Sequence, residues 1–346
     1  MHIANRQVGV SVPPFVIAEM SGNHNQSLQS ALAIVDAIAD AGAHALKLQT
    51  YTADTMTIDL SEREFFINDP RSLWNGRSLF ALYESAHTPW DWHAPIFDRA
   101  RRRGLVAFST PFDATAVDFL ETLDVPAYKI ASFENTDLPL IRKVAATGKP
   151  VIISTGMASL AEIDEAVGAA SDSGPGQVAL LKCTSSYPAS PASSNLATIP
   201  HLRSLFRCEV GLSDHTLGIG AAVASISLGA TLIEKHVTLS RADGGVDAAF
   251  SLEPKELLQL VTETRSAWEA LGSVQFGPVE EERASLRFRR SLYICKDLLA
   301  GDALTPENLR AIRPGFGLSP KFIHDLLGKR VTRSVKRGTP MTWDLL

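Results

Sequence analysis

The feature that most constrains the fold of this chain is a regular alternation of short apolar runs with helical patterns. The run FVIAEM (15–20) has the composition of a buried strand, and apolar residues at helical spacing follow it from Ser27 to a stop at Gly42. The next strand-like run, ALKLQTY, spans residues 45–51. About eight such units occupy roughly 270 residues. This alternation predicts a parallel sheet, and the number of units predicts a (β/α)8 TIM barrel.

A doubly wound sheet is the alternative fold for alternating strands and helices. The first strand-like run lacks the G-x-G-x-x-G fingerprint that would favour it. Two regions depart from the alternation. Residues 52–88 form an irregular, aromatic-rich insertion, and the pattern ends near FGPVEEE (276–282), which is typical of a linker. We therefore predict a barrel domain over 1–275, a linker over 276–284 and a small module of mixed structure over 285–346, with strand-like runs SLYIC and KRVTRSV.

Composition excludes several classes of function. The net charge of −5 and the pI near 6.0 argue against general binding to nucleic acid or to a membrane surface. The longest uncharged run (217–233) is rich in Gly, Ala and Ser, and is better explained by a small-residue helix followed by a strand than by a membrane span. The three cysteines form neither a disulfide framework nor a zinc motif, so a cytoplasmic location is expected.

Polar residues follow every predicted strand. In a (β/α)8 barrel the active site lies at the carboxyl ends of the strands, so these residues are expected to converge. In chain order they are Glu19 with Asn23 and His24, Lys47 with Gln49, Ser109 with Thr110, Lys129 with Ser132, Ser154 with Thr155, Thr184 with Ser185 and Tyr187, Ser213 with Asp214 and His215, and Glu234 with His236.

Two lysines among hydroxyl groups predict an anion site at these strand ends. Such a site suits a phosphate together with a carboxylate, and the residues expected to form it are Lys47, Lys129, Thr110, Ser132, Ser154 and Ser213. The alternative for each lysine is a structural ion pair, and Glu19 could be the partner of Lys47.

Two histidines on neighbouring strands predict a divalent metal site. His215 and His236 each adjoin an acid in the sequence, Asp214 and Glu234, and imidazole with oxygen ligands favours Mn²⁺ over Mg²⁺ or Ca²⁺. Mn²⁺ is the predicted ion, with Mg²⁺ and Co²⁺ as alternatives. A single histidine would more simply be a hydrogen-bonded residue of the core. Two histidines at neighbouring strand ends favour the interpretation that both are metal ligands.

The last strand, LIEKHVTL (232–239), places three ionisable residues in an apolar run. Because side chains alternate between the faces of a strand, Glu234 and His236 share the face toward the barrel mouth. There Glu234 is expected to support His236. Lys235 is expected to face the helix layer, with its ammonium reaching solvent or an acid.

Several motifs together resemble the sialic acid synthase family over nearly the whole chain. They are IAEMSGNHNQS, LKLQTYTADT, FSTPFD, YKIAS, STGMAS, GLSDHT, EKHVTL and the closing RPG. The segment KDLLAGDALTPENLRAIRPGFGLSP is similar to the antifreeze-like (SAF) domain of that family. The resemblance implies a TIM barrel followed by a SAF domain. It also implies a homodimer in which the SAF domain of one chain covers the barrel mouth of the other.

The resemblance also implies a reaction and a set of roles. Family members condense phosphoenolpyruvate with an amino sugar to give a nine-carbon 2-keto acid and phosphate. The residues implied to bind phosphoenolpyruvate are Lys47, Thr110, Lys129, Ser132, Ser154, Ser185 and Ser213. Glu19 would be the catalytic carboxylate, His215 and His236 the metal ligands, and Gln49, Tyr187 and Asp247 the sugar contacts. Arg313 would reach the partner's site, and Ser185 stands where other members often have Asn.

Within the family, segments such as EMSGNHNQS and KIASFENTDLPL resemble the subfamily that makes pseudaminic acid. The sugar would then be 2,4-diacetamido-2,4,6-trideoxy-L-altropyranose. Met20, Ala131 and Phe133 are expected to suit this less polar substrate. The alternatives are a synthase for N-acetylneuraminic or legionaminic acid and, in a different class, a non-catalytic protein that binds a sugar or an anion.

Overall fold

The computed structural model describes residues 1–346. By its internal contacts the chain divides into two compact units, Met1–Gly272 and Ser273–Leu346. The first unit contains all of the predicted strand–helix units, and the second contains the short strand-like runs of the C-terminal module.

The first unit is a closed barrel of eight parallel strands, which confirms the predicted TIM-barrel fold. A short antiparallel hairpin of β1 (His2–Ile3) and β2 (Arg6–Gln7) precedes it. The barrel strands are β3 (Phe15–Glu19), β4 (Ala45–Thr50), β5 (Val106–Pro111), β6 (Tyr128–Ile130), β7 (Val151–Ser154), β8 (Val178–Cys183), β9 (Glu209–Ser213) and β10 (Leu232–His236). They follow one another around the barrel in chain order, and β10 closes it by pairing with β3.

Ten α-helices connect and cover the strands of the first unit. They are α1 (Leu28–Asp40), α2 (Ala53–Met56), α3 (Leu79–Ala86), α4 (Trp90–Arg102), α5 (Ala114–Thr122), α6 (Leu138–Ala145), α7 (Leu160–Ser173), α8 (Thr198–Phe206), α9 (Gly220–Ser227) and α10 (Pro254–Leu271). The predicted N-cap of α1 is confirmed, because the Ser27 side chain accepts a hydrogen bond from the Ser30 backbone N–H at 3.2 Å.

One continuous apolar core runs between the strands and the helix layer. Strands of a parallel barrel are buried on both faces, which explains why their sequences are almost continuously apolar. Ile17, Leu48, Phe108 and Leu180 are all fully buried. The polar residues of the strands are concentrated near the carboxyl ends, so the core closes the barrel below them.

The uncharged run 217–233 is divided between α9 and the start of β10, as predicted. No helix of the chain combines the length and the apolar character that crossing a membrane requires.

The insertion predicted as irregular over 52–88 contains two helices, α2 and α3. The segment LFALYESA becomes α3 because the Ser78 side chain caps its first turn, accepting from the Ala81 N–H at 3.2 Å. Its apolar residues also repeat at helical spacing, so one face of the helix is buried. The prediction missed α3 because aromatic residues dominated the composition of the whole segment.

The second unit is built around a two-stranded antiparallel sheet and a small core of its own. Strand β11 (Ser291–Ile294) pairs with β12 (Leu309–Ile312), and α11 (Ile323–Leu326) packs nearby. The run SLYIC forms β11 as predicted. The run KRVTRSV does not form a strand and contributes only two isolated bridges, Arg330 with Ala303 and Val335 with Leu298. Residues Glu280–Phe288 form a 3-10 helix.

Candidate active site

A cavity of about 280 Å³ opens at the carboxyl ends of the barrel strands. It brings together most of the residues predicted from the sequence. Those that line it are Glu19, Lys47, Gln49, Lys129, Ser132, Ser154, Tyr187, Ser213, His215, Glu234, His236 and Asp247. Thr110 and Ser185 lie near the strand ends but do not line the cavity. Arg313 belongs to the second unit, where it follows β12 and is exposed.

The floor of the cavity is a cluster of two lysines and two glutamates. The Lys47 Nζ lies 2.9 Å from the Glu19 Oε2 and 3.1 Å from the Glu234 Oε2. The Lys129 Nζ lies 3.4 Å from the Glu234 Oε1. Strand register creates this cluster, because Glu19 is paired with Lys47 on β4 and with His236 on β10. All four side chains are almost completely buried.

Each charge in the floor depends on its partners. Burial alone would raise the pKa of Glu19, but positive charge on His236, when its ring is protonated, and on Lys47 outweighs this effect and holds that pKa below its ordinary value. Burial of Lys129 lowers its pKa, and the nearby Glu234 offsets only part of this effect. The two lysines are therefore not free cations. Each lysine is ion-paired, as the alternative interpretation of each lysine described, and the anion site stays a prediction.

The hydroxyl groups around the floor are incompletely hydrogen-bonded. The Ser154 Oγ and the Thr110 Oγ1 are buried and have no hydrogen-bond partner. The Ser213 Oγ donates to the Glu234 Oε1 at 3.0 Å, and the Ser132 Oγ accepts from the Gly156 N–H at 3.2 Å. Buried polar groups are almost always paired, so the unpaired Ser154 hydroxyl, which lines the cavity, indicates a place for a polar ligand.

The two predicted metal ligands are neighbours. The His215 and His236 rings lie 5.4 Å apart between centroids. The His215 Nδ1 is 3.0 Å from the Thr184 carbonyl oxygen. Donation to that carbonyl leaves the lone pair on the other ring nitrogen, as in metal-ligating histidines.

The His236 ring lies between two carboxylates. Its Nε2 is 3.3 Å from the Glu19 Oε2, and its Nδ1 is 3.5 Å from the Asp247 Oδ2 without a hydrogen bond. Burial lowers the pKa of His236, which favours the neutral ring that a metal requires. The two imidazoles thus fit a divalent cation. No three His, Cys, Asp or Glu side chains are arranged to hold a metal ion together, so the remaining positions would fall to water or substrate.

Two predictions about the acids near these histidines were wrong. Asp214 faces the helix layer, because alternation along the strand places it opposite to Ser213 and His215. Its Oδ2 accepts from the Lys235 Nζ at 2.9 Å. Glu234 shares the inner face with His236, but its carboxylate pairs with the two lysines. The acids beside the histidines are Glu19 and Asp247 instead.

The residues predicted to contact the sugar lie near the histidine pair and Glu19. The Gln49 Nε2 donates to the Glu19 Oε1 at 2.8 Å, and the Ser21 hydroxyl donates to Asp247. The Tyr187 ring packs on the His215 ring with centroids 4.5 Å apart. These contacts hold Gln49, Asp247 and Tyr187 at the edge of the cavity.

Met20 does not have the role that the sequence predicted for it. It is fully buried in the apolar core and does not line the cavity, because it follows Glu19 and points to the opposite face. Ala131 and Phe133 do line the cavity.

Glu134 was missed by the sequence argument. It ends the 3-10 helix Ser132–Glu134 after β6 and lines the cavity. Its Oε2 is buried without a hydrogen bond, and burial raises its pKa to about 7. The signal was weak, since Glu134 lies two residues beyond Ser132, in a segment without periodicity.

Cys183 was also missed as a residue of the site. It ends β8 and lines the cavity. Its Sγ lies 3.9 Å from the His215 Nδ1. Burial would raise the pKa of this thiol, but the contact with His215 outweighs it and brings the pKa to about 7.

Comparison with known proteins agrees with this geometry. Residues 34–276 match the model of the NeuB family, and residues 289–346 match that of the SAF domain. A pseudaminic acid synthase of Campylobacter jejuni is 42% identical, over 94% of this chain and 94% of its own. One from Helicobacter pylori is 40% identical, over 96% and 97%.

A solved structure supports the same assignment. The N-acetylneuraminic acid synthetase of Leptospira borgpetersenii, crystallised in complex with citrate, superposes with a TM-score of 0.73 at 32% identity. The match covers 84% of this chain and 95% of that chain.

Proposed function

The chain belongs to the NeuB family and carries a SAF domain, and from this premise we propose that it catalyses the pseudaminic acid synthase reaction. In this reaction phosphoenolpyruvate, 2,4-diacetamido-2,4,6-trideoxy-L-altropyranose and water give pseudaminic acid and phosphate. The product serves cell-surface or flagellar glycans. The observation that carries the proposal is a single cavity that holds both the lysine–glutamate floor and the histidine pair.

The floor is the proposed site for phosphoenolpyruvate. Lys47 and Lys129 supply positive charge, and the unpaired hydroxyl of Ser154 supplies a donor for the phosphate or carboxylate oxygens. Thr110 belongs to the proposed set, although its unpaired hydroxyl does not line the cavity. Ser132, Ser185 and Ser213 complete the proposed set. The arriving anion competes with Glu234 for the lysines, so binding would rearrange the ion pairs of the floor.

His215 and His236 would hold the metal, proposed as Mn²⁺ with Mg²⁺ or Co²⁺ as alternatives. When bound, the ion supplies Lewis-acid polarisation of the sugar aldehyde. Chelation is expected to abolish activity, and Mn²⁺ is expected to restore it. Calorimetric titration with Mn²⁺ provides an independent readout, and full activity of His236→Ala in metal-free buffer would contradict the assignment.

Carbon–carbon bond formation joins C3 of phosphoenolpyruvate to the aldehyde carbon, and water then adds at C2. Collapse of the resulting intermediate breaks the C–O bond and releases phosphate. Glu19 is proposed to stay ionised and to orient the water by accepting its proton in a hydrogen bond, because its pKa is held low. Lys47 and Lys129 stabilise the charge on the phosphate as it leaves. Asp247, Gln49 and Tyr187 are proposed to orient the sugar.

A coupled assay tests the function directly. Purified protein is incubated with phosphoenolpyruvate and each candidate sugar, and released phosphate is measured. We expect release that depends on the diacetamido-trideoxy sugar. A preference for N-acetylmannosamine or for the legionaminic acid precursor would favour the alternative synthases. Binding of sugar or anion without any phosphate release would favour the non-catalytic alternative.

We propose that the protein is a homodimer in which Arg313 of one chain contributes to the site of the other. Arg313 is exposed and has no acidic partner, and Val274 and Phe276 of the same unit are more than 90% exposed, as expected of residues that a partner covers. Mixing Lys47→Ala with Arg313→Ala chains would then restore about a quarter of wild-type activity in random dimers. No recovery after subunit exchange would contradict the swapped arrangement. The three unpaired cysteines support a cytoplasmic location, which cell fractionation would test.

A further inference from the structure

The cavity has two sides of different chemistry. The strand ends supply its charged floor, whereas the insertion over 52–88 supplies a second side that is mostly apolar. We call this side the insertion wall, and its residues are Met56, Ile67, Trp74, Leu79, Leu82 and Tyr83.

The insertion wall is held in place by helix geometry and by one long-range hydrogen bond. Leu79, Leu82 and Tyr83 lie on one face of α3, at the i, i+3 and i+4 positions that share a helix face. The Trp74 Nε1 donates to the Val246 carbonyl oxygen at 2.9 Å, which joins the insertion to the loop after β10. The Tyr83 and Tyr51 rings pack edge to face, with centroids 5.8 Å apart.

The wall offers few hydrogen-bonding groups to a ligand. Among its six side chains only Trp74 and Tyr83 carry a nitrogen or oxygen atom, and the Trp74 donor is already used by Val246. Burial raises the pKa of Tyr83, so its hydroxyl stays neutral. A ligand hydroxyl placed against this wall would lose water without gaining a full set of partners.

We infer that the insertion wall is the subsite for the C6 methyl group of the sugar and that it selects 6-deoxy sugars over 6-hydroxy ones. This inference rests on the proposed function. The aldehyde carbon must meet phosphoenolpyruvate at the floor, among the lysines and the histidine pair, so the far end of the carbon chain points away from the floor. The insertion wall supplies most of the apolar lining of the cavity, whereas the apolar residues Phe112, Ala131 and Phe133 follow strands β5 and β6 at the strand-end side.

An apolar subsite discriminates moderately against an added hydroxyl. The preference for the methyl group is expected to be about 10- to 100-fold in kcat/KM. The charged floor does not contact C6 in this arrangement, so the preference between the two C6 groups is expected to depend mainly on the wall.

The test compares two sugars that differ only at C6. They are the 2,4-diacetamido-2,4,6-trideoxy-L-altrose substrate and its 6-hydroxy counterpart, each assayed by phosphate release from phosphoenolpyruvate. Wild-type protein is expected to prefer the 6-deoxy sugar by about 10- to 100-fold. Equal kcat/KM values for the two sugars would overturn the assignment of the wall.

Two near-isosteric polar variants locate the preference. Met56→Gln and Leu79→Asn are expected to reduce the ratio of the two kcat/KM values several-fold while KM for phosphoenolpyruvate stays unchanged. Both positions are partly exposed, so a polar side chain is tolerated. The control Ala81→Asn places asparagine on the exposed side of α3 and should keep the wild-type ratio. An unchanged ratio in both wall variants would also overturn the inference.

Failure of the inference is distinct from failure of the proposed function. Absence of phosphate release with both diacetamido sugars would overturn the function and this inference with it. Turnover of both sugars with equal efficiency would overturn only the role of the insertion wall.

Discussion

The two faces of β10 carry buried ion pairs that differ in how completely they are satisfied. On the inner face, Glu234 lies between Lys47 and Lys129, and its Oε2 is 3.1 Å from the Lys47 Nζ but makes no aligned hydrogen bond. On the outer face, the Lys235 Nζ donates to the Asp214 Oδ2 at 2.9 Å and to the Thr216 carbonyl at 2.5 Å. The Asp214 Oδ1 also accepts from the Thr216 N–H at 2.9 Å.

This difference separates a ligand site from a structural clamp. The outer pair uses both carboxylate oxygens and two of the three lysine protons, so it has little capacity left for a ligand. It fixes the turn that carries His215. The inner cluster keeps unsatisfied atoms at a cavity, which costs stability but leaves groups available for substrate. Glu234 and Lys235, adjacent on β10, therefore have different roles: Glu234 belongs to the cluster at the cavity, and Lys235 to the structural clamp.

Removing the inner carboxylate at Glu19 is expected to have the largest effect. In Glu19→Gln, turnover should fall about 10²-fold or more, because the ionised acceptor that orients the attacking water is lost. Binding of phosphoenolpyruvate, measured by calorimetry, should persist because both lysines remain. The control Glu209→Gln changes an acid at the start of β9, away from the cavity, and should stay near wild type. Near-normal turnover of Glu19→Gln would remove this residue from the mechanism.

Removing the inner cation at Lys47 is expected to be nearly as severe. Lys47→Met leaves Glu19 and Glu234 without their shared partner, so turnover should fall about 10²-fold and affinity for phosphoenolpyruvate should also drop. Steady-state kinetics and calorimetry measure both quantities. The surface variant Lys143→Met, which breaks an ion pair with Asp118, is the matched control. If Lys47→Met bound phosphoenolpyruvate normally, the floor would not be the anion site.

The sequence was sufficient to predict the barrel and the orientation of β10. The alternation of strands and helices can be recognised from local composition. Because consecutive strand–helix units lie side by side, the order of the strands around the barrel follows from this alternation. Alternation of side chains within a strand correctly predicted that Lys235 faces the helix layer and that Glu234 faces the cavity. The same alternation places Asp214 and Met20 on the face toward the helices, away from the cavity where their neighbours lie.

Other parts of the site could not be derived from local pattern. The contact between Trp74 and Val246 joins residues 172 positions apart in the sequence, and no periodicity indicates it. Glu134 and the insertion wall lie in segments beyond the strands, where only tertiary packing decides what faces the cavity. The ion pairing of Lys129 with Glu234 likewise depends on barrel closure, because the two residues lie on strands that are not neighbours.

The outer clamp is expected to affect metal binding more than chemistry. Lys235→Met leaves the buried Asp214 charge uncompensated, so the free energy of unfolding should fall by about 3–5 kcal/mol. Affinity for Mn²⁺ should fall about 10- to 100-fold, because the turn that carries His215 is loosened. Urea unfolding and Mn²⁺ titration measure the two effects.

A double variant separates the clamp from its charge. Asp214→Leu with Lys235→Met should recover most of the lost stability, because no unpaired charge remains, while Mn²⁺ affinity stays low. Unchanged Mn²⁺ affinity in the single variant and in the double variant would show that the outer pair is purely structural. That result would sharpen the separation between the two faces rather than remove it.

The smallest predicted effect is a pH dependence of stability that comes from Glu134, on the cavity side of the barrel. The pKa of Glu134 is raised to about 7 by burial, above the ordinary value of 4.5. Its raised pKa favours folding when the carboxyl is protonated, so this contribution is complete below about pH 4.5 and is lost as pH rises toward 7. The free energy of unfolding of Glu134→Gln, relative to that of wild type, should therefore be about 1–3 kcal/mol larger at pH 8 than at pH 5. Urea unfolding at both pH values measures this difference, with the exposed Glu84→Gln as control. An equal stability difference at pH 5 and pH 8 would mean that Glu134 ionises as freely as a surface carboxylate. The cavity would then stabilise a buried negative charge better than its unpaired atoms indicate.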